Sequence, residues 1–271
     1  TTLLVACTVD SPTGEGITNQ ELQSQNRLAS NRLASNRLAS NRLTNNRLAS
    51  NRLSANLLLA NPLTAEILQT VEGRDVYAYI ISCALGEGVT IEADVTGAAD
   101  TAPPETTHTC AGGHCVFPGN LNLAPRWMDH KLDNKGQGWV SACLFSRVNA
   151  NDSAEAISLR GRDLTVSPEE LELFTAEEGA FYGNLFIDDP DPSVPPDWYA
   201  CRGEGKAACP GDVGCGGLAN RDCAQENPAN PGFTMCGFKY AGDCRDFTPS
   251  LPNPYACRTY DVASGTYGDC H

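Results

Sequence analysis

Leucine recurs at every fifth position from Leu28 to Leu68, and as far as Ser54 the residues between are polar or small. Asparagine keeps the same beat two places earlier, at Asn26, Asn31, Asn36, Asn41, Asn46, Asn51, Asn56 and Asn61. A fixed short period marks a repeat architecture. Neither regular element accommodates it alone. On a helix each fifth residue advances by about 500°, so the leucines wander around the axis. On a flat strand an odd period sends alternate leucines to opposite faces. A chain that turns a corner every five residues places all of them inside. Residues four repeats apart then stack at roughly the ~4.8 Å spacing of neighbouring strands. Leu48 lies between Leu28 and Leu68, and Leu33, Leu38 and Leu43 lie over Leu53, Leu58 and Leu63. Asn26 over Asn46 and Asn31 over Asn51 form amide ladders from coil to coil. So short a stack has two open ends, which the rest of the chain or another copy must cover. A flexible linker is the competing reading, but linkers lack a regularly repeated large apolar residue.

Downstream the patterns are shorter. Thr64-Ala65-Glu66 reads as a helix start closing the repeat, with Ile67, Leu68 and Val71 on its apolar side. DVYAYIISCAL (75–85) is an apolar run that fits a helix or a buried strand equally well. VTIEADV (89–95) alternates as a strand does, and TGAADTAPPETTHT (96–109) reads as a loop. Ser167-Pro168-Glu169-Glu170 places a cap, a first-turn proline and a glutamate at helix-start spacing, and Thr175-Ala176-Glu177-Glu178 repeats the capping-box spacing. These glutamates are thus expected as caps. A proline-rich acidic loop, DDPDPSVPPDW (188–198), leads into a segment dense in Gly, Asn, Pro and Cys.

The NRLAS repeats over residues 26–68 resemble the pentapeptide-repeat family, whose chains wind as right-handed, four-sided β-helices of about twenty residues per coil. That family centres each repeat on Leu or Phe, as here, but usually carries a small residue where this chain has Asn. A second resemblance rests on ISCALGEG (81–88), NLNLAPRW (120–127), GWVSACLFSRVNA (138–150), ISLRG (157–161) and EEGAFYGNLF (177–186). These motifs are similar to those of uncharacterised exported myxobacterial proteins that place a short Asn–Leu repeat before a cysteine-bearing domain. The likeness implies a layout and no activity.

Composition narrows the classes. Residues 26–63 carry six arginines (Arg27, Arg32, Arg37, Arg42, Arg47 and Arg52) and no acid, so the remainder holds 13 basic and 33 acidic side chains, a net of −20. An acidic chain is a poor nucleic-acid binder. Imitation of DNA by an acidic repeat, known among pentapeptide-repeat proteins, does not fit a basic one. No apolar run reaches the ~18–20 residues of a membrane span. The chain has 13 cysteines and no C-x-x-C, which argues against zinc ribbons and thioredoxin-type sites and for structural disulfides in an oxidising compartment. Cys83, Cys110, Cys115 and Cys143 are expected to staple the middle of the chain. Cys201, Cys209, Cys215, Cys223, Cys236, Cys244, Cys257 and Cys270 are expected to staple its end, in a connectivity that spacing does not give. Cys7 stands apart. Leu4-Val5-Ala6-Cys7 resembles a bacterial lipobox, with the cysteine lipidated; TTLLVACTV also reads as an extended arm able to pair with a neighbour. Cys7 is therefore a candidate for lipidation or for a bridge between chains.

Catalytic signatures are sparse. Cys110-Ala111-Gly112-Gly113-His114-Cys115 is the only local Cys/His cluster, and disulfide cysteines beside an exposed loop histidine explain it better than a tetrahedral metal site. Asp188, Asp189 and Asp191, or Asp129 with Asp133 and Asn134, lack the calcium-loop pattern and read as solvated acids. No hydrolase or P-loop motif is present. The expected fold is α+β, with a short pentapeptide-repeat-type β-solenoid and a disulfide-rich, loop-rich C-terminal region. The expected organisation is an N-terminal arm or lipobox segment with a polar lead-in (1–25), a solenoid (26–68), an α+β domain (69–198) and a disulfide-rich tail (199–271). The expected function is that of an exported, self-associating structural protein of the cell surface or extracellular space, with no catalysis and no cofactor. Its partners are other copies of itself and anionic surface polysaccharide, with a membrane only if Cys7 is lipidated. A lipid-anchored binding module for polysaccharide or protein is the first alternative, and a secreted carboxylate-based hydrolase the second. The arginines of the repeat are the expected assembly or partner contacts.

Overall fold

A computed structural model of the chain describes residues 68–101, 108–148, 157–161, 164, 166–186, 197–208, 222–246 and 256–261. The repeat, the N-terminal arm with Cys7, and the six repeat arginines lie outside these residues. So do Cys209, Cys215, Cys270, the acids Asp188, Asp189 and Asp191, and the helix start expected at Thr64.

The described part is α+β. The apolar run after Asp75 resolves as helix α1 (Val71–Ala84), because Thr70 caps it: its Oγ1 accepts from the Gly73 amide at 3.0 Å. Tyr77 to Ile81, Cys83 and Ala84 are buried. Val71, expected on the apolar side, stands 42% exposed in the first turn, whereas Leu68 is fully buried and accepts from Arg74 Nη1 through its carbonyl. Leu68 thus belongs to the core around α1; the column expected above it lies outside the described residues.

The second long helix, α2 (Asn134–Ser146), starts at Asp133, whose Oδ1 accepts from the Gly136 amide at 2.7 Å. Asp133 is a cap, not a calcium ligand. From Gly138 to Ser146 every residue of α2 is buried, as for a helix enclosed on all sides. The Cys83–Cys143 disulfide joins α1 to α2.

Two sheets flank the helices. The first has order β1-β3-β2 and is antiparallel, from β1 (Thr90–Asp94), β2 (Thr109–Ala111) and β3 (His114–Pro118). The second has order β4-β8-β5-β6-β7, from β4 (Ser158–Arg160), β5 (Ala176–Gly183), β6 (Trp198–Arg202), β7 (Lys239–Asp243) and β8 (Ala256–Asp261). Only β6 and β7 run parallel; the other pairs are antiparallel. Helix α2 packs on β5 and β8, and α1 packs on α2 and β3. One continuous core therefore runs between the two sheets.

Strand β5 corrects an expectation. Thr175-Ala176-Glu177-Glu178 has capping-box spacing, yet no helix follows it. Ala176–Gly183 is the middle strand of five, and all eight of its residues are buried. Gly179 and Gly183 are poor helix formers, and Phe181 and Tyr182 favour a pleated surface packed on both sides. A Cβ at Gly179 would collide with the Cys201 carbonyl and Ala224, so that strand crossing needs glycine. The other cap is observed. Ser167 Oγ accepts from the Glu170 amide at 3.1 Å and opens α3 (Pro168–Leu173). Its Glu170 carboxylate accepts from Ser158 Oγ in β4 at 2.5 Å and so ties helix to sheet.

Three of the five strands come from residues 198–261, and residue 198 begins β6. The Cys201–Cys244 and Cys223–Cys236 bridges fasten this region. Cys257 lies in β8, where only its strand pairing is described.

All three tryptophans, Trp127, Trp139 and Trp198, are buried. Phe145 of α2 holds the centre, with its ring 5.0 Å from Trp198 and 5.4 Å from Phe238. Phe145→Ala is expected to cost about 3–5 kcal/mol, the usual loss for a buried aromatic that leaves a cavity. Urea unfolding reads this as a lowered midpoint at constant slope. The Cys83–Cys143 bridge closes a separation of 60 residues. Chain-entropy arithmetic gives about 4 kcal/mol for such a loop. Replacing both cysteines with alanine should lower stability by about that amount in the same assay.

Candidate functional site

The β2–β3 hairpin turns at Gly112 and Gly113, with φ of 59° and 86°. Two successive positive φ values suit a two-residue turn of the primed type, which only glycine, asparagine or aspartate adopts cheaply. Asp100 Oδ1 steadies the turn by accepting from the Gly112 amide at 2.8 Å. The turn sets Cys110 directly opposite Cys115, with Cα atoms 4.1 Å apart, and the two form a disulfide. Both sulfurs are buried. The local Cys/His cluster is therefore a cross-strand bridge beside a histidine.

The register of β1 on β3 then decides what that histidine meets. Val95 N donates to Gly113 O and Gly119 N donates to Val89 O, each at 2.7 Å, so the odd-numbered residues of β1 hydrogen-bond to β3. Asp94 and His114 face one another in a pair without backbone hydrogen bonds, where side chains approach most closely. His114 Nδ1 lies 2.8 Å from Asp94 Oδ1, and Nε2 lies 3.7 Å from Glu92 Oε2. The hydrogen bond with Asp94, reinforced by the charges of Asp94 and Glu92, outweighs desolvation and raises the imidazole pKa above its ordinary 6.5.

Strand alternation separates the two faces of this sheet. Ile91, Ala93, Cys110, Cys115 and Phe117 point into the core, where Tyr77 meets Phe117 edge-on and His108 stacks on it. Buried His108 also lies 3.3 Å from Asp75. Thr90, Glu92, Asp94 and His114 face solvent. The solvent face thus carries two carboxylates that share one histidine, an arrangement suited to holding a cationic group. Among the described residues, no group of three or more His, Cys, Asp or Glu side chains is placed to hold a metal ion.

A second polar cluster crosses β5, β6 and β7. Tyr182 and Tyr199 stack in parallel at 5.1 Å, and Lys239 Nζ lies 5.6 Å from the Tyr199 ring centre. Asp197 lies 2.6 Å from Lys239 Nζ and accepts from the Tyr199 hydroxyl at 3.2 Å. Burial, and then the Asp197 charge, raise the Tyr199 pKa. In the strand register Tyr199 stands between Tyr182 and Lys239, so neither face of its ring is open for a ligand to stack on. This row braces the sheet.

Sequence reasoning noticed His114 beside its cysteines but read it as an exposed loop histidine, whereas it opens β3. It missed Glu92 and Asp94 as partners, because they stand about twenty positions away and only the strand register brings them near. The alternation of TIEAD was the available signal. No family model, curated protein or solved structure matches the chain.

A raised folded pKa means that the His114 contribution is fully present below the unfolded value and is lost as pH rises through the folded one. Stability should therefore fall slightly as pH rises through the interval just above 6.5. His114→Gln should flatten that slope, and an NMR titration of the His114 ring should show a midpoint above 6.5.

Proposed function

We propose that this chain is an exported, disulfide-stapled structural protein that self-associates through its basic repeat and its acidic body, without catalysis. The observation that carries the reading is the segregation of charge: six arginines and no acid over residues 26–63, against a net −20 on the remainder. Local pairing within the body does not remove that excess. Arg202 pairs with Asp243, Lys206 with Asp222 and Lys239 with Asp197, so these body cations are already engaged. Acid remains to be balanced from outside.

The four disulfides among the described residues support export, since such bridges persist in oxidising compartments, and no described helix is long and apolar enough to cross a membrane. In this reading residues 26–68 form a pentapeptide-type solenoid in which Arg27 stacks over Arg47 and Arg32 over Arg52. Like charges at that spacing repel unless carboxylates interleave, and the body of another copy supplies them. A solenoid end that receives another copy makes a head-to-tail contact, and such contacts grow into filaments when they do not close.

Light scattering and negative-stain microscopy across protein concentration test this. Wild type should form assemblies that dissociate as salt rises past ~0.15 M, where screening is already substantial. Arg32→Glu with Arg52→Glu should weaken association by roughly tenfold or more, because charge complementarity at the contact is reversed. A strictly monomeric wild type would overturn self-assembly. The Leu4-Val5-Ala6-Cys7 segment then favours a lipid-anchored binding module for polysaccharide or another protein.

A further inference from the structure

The edges of the three-stranded sheet are unequal. Beyond β2, Thr101 exchanges both backbone hydrogen bonds with Cys110, at 2.9 and 3.0 Å, and closes that side. Strand β1 is the other edge. Its odd-numbered residues bond to β3, so the N–H and C=O groups of Thr90, Glu92 and Asp94 point outward. Among the described residues no backbone group pairs with them. The Glu92 and Asp94 side chains are 58% and 87% exposed, so the acids that flank this edge stand in solvent.

We infer that the outer edge of β1 receives an Arg–Leu segment from residues 26–55 of a second copy as an added strand. This rests on the self-association reading and names the acidic surface that takes the repeat. Three features of the edge fit that occupant. Its outward hydrogen-bonding groups are those that strand addition satisfies. Its side chains alternate, with Glu92 and Asp94 toward solvent and Ile91 and Ala93 toward the core. Each NRLAS unit has Arg and Leu adjacent, so an extended unit presents them to opposite faces. Arg set beside Glu92 and Asp94 places Leu on the side of Ile91 and Ala93. The five residues of β1 equal the length of one repeat, so a single unit spans the edge.

A second β1 is a poor occupant. Antiparallel pairing of two such edges sets Glu92 against Glu92, and like charges directly opposite destabilise a strand pair. A basic strand meets the opposite situation.

Glu92→Pro is the direct test. Its amide points away from β3, so proline there removes no ladder bond and blocks only the outer edge. Glu92→Lys with Asp94→Lys reverses charge at two exposed positions and tests the same edge should the proline variant misfold. Sedimentation velocity follows assembly of the full-length proteins. Fluorescence anisotropy follows binding of a labelled synthetic peptide of residues 26–45 to each. Both variants should reduce assembly and peptide affinity by roughly tenfold or more, as expected when an edge strand is blocked or its charge reversed. Mixing the lysine variant with Arg32→Glu, Arg52→Glu protein should restore part of the assembly. If wild type assembles and both variants assemble equally well, the β1 assignment is wrong while self-association stands. If wild type stays monomeric yet binds the peptide in a Glu92-dependent way, the edge is assigned correctly and the assembly reading fails. No assembly and no peptide binding would overturn both.

Discussion

Strand β5 is the constraint on which the rest of this structure depends. Its eight buried residues must satisfy backbone groups on both edges, and they do so between β8 and β6. One neighbour, β6, follows soon in the chain; the other, β8, arrives only at Ala256–Asp261. β5 therefore cannot be completed until the chain has returned from the far side of β7. Pairings so distant in sequence cost loop-closure entropy before any contact repays it, and they slow folding. The Cys83–Cys143 and Cys201–Cys244 bridges offset part of that cost, one by fixing α2 against α1 and the other by fastening β6 beyond β7. Covalent ties and sheet topology are two answers to the same entropy problem. The first exists only where thiols are oxidised.

Local signals were legible where the chemistry is local. The alternation in TIEAD gave β1, and Ser167-Pro168-Glu169-Glu170 gave α3 with its cap. The run DVYAYIISCAL was ambiguous because a helix buried on most sides loses its polar stripe; Thr70, just upstream, settles it by capping. The box at Thr175 misled because its spacing is a necessary signal and not a sufficient one. Gly179 and Gly183 withdraw the helix, and tertiary cover on both faces selects a strand. Residues after 198 read as loops between cysteines. The short strands WYACR, KYAGD and ACRTYD carry little periodicity of their own and exist through their partners. The candidate site divides the same way. His114 could be noticed from the cysteines beside it, but Glu92 and Asp94 become its partners only through the register of β1 on β3.

Buried polar groups in this protein hold the fold, and exposed ones set its surface charge. Arg160 donates to Ser158 Oγ and to the Phe174 carbonyl, while Ser158 donates to Glu170, so one network ties β4 to α3 and its C-terminal cap. Lys206, with its side chain fully buried, meets Asp222 at 2.9 Å. Such pairs need their geometry intact, because a buried charge that loses its partner costs several kcal/mol. The carboxylates of the β1 face are different in kind. Glu92 and Asp94 share one histidine and remain largely in water, so a change of partner costs them little desolvation. A surface meant to exchange partners is better built from groups of the second kind.

The same two carboxylates also bear on specificity. An open strand edge is a liability, because any extended chain can pair with it, and proteins commonly guard such edges with charge. Glu92 and Asp94 act against a second β1, which would bring like charges face to face, and against acidic segments of other copies. Outside residues 26–63 the chain carries net −20, so most of what a neighbouring copy displays is repelled. The basic repeat lies in the longest stretch without an acid. In the proposed contact, a guard that rejects acidic segments favours that stretch among the surfaces of an identical neighbour. Selectivity of this kind needs no tight pocket, because it rests on a difference between repulsion and attraction at one edge. Protonation of His114 weakens the guard by placing a cation between the two acids. In the proposed contact the edge is therefore most selective for a basic strand while His114 is neutral.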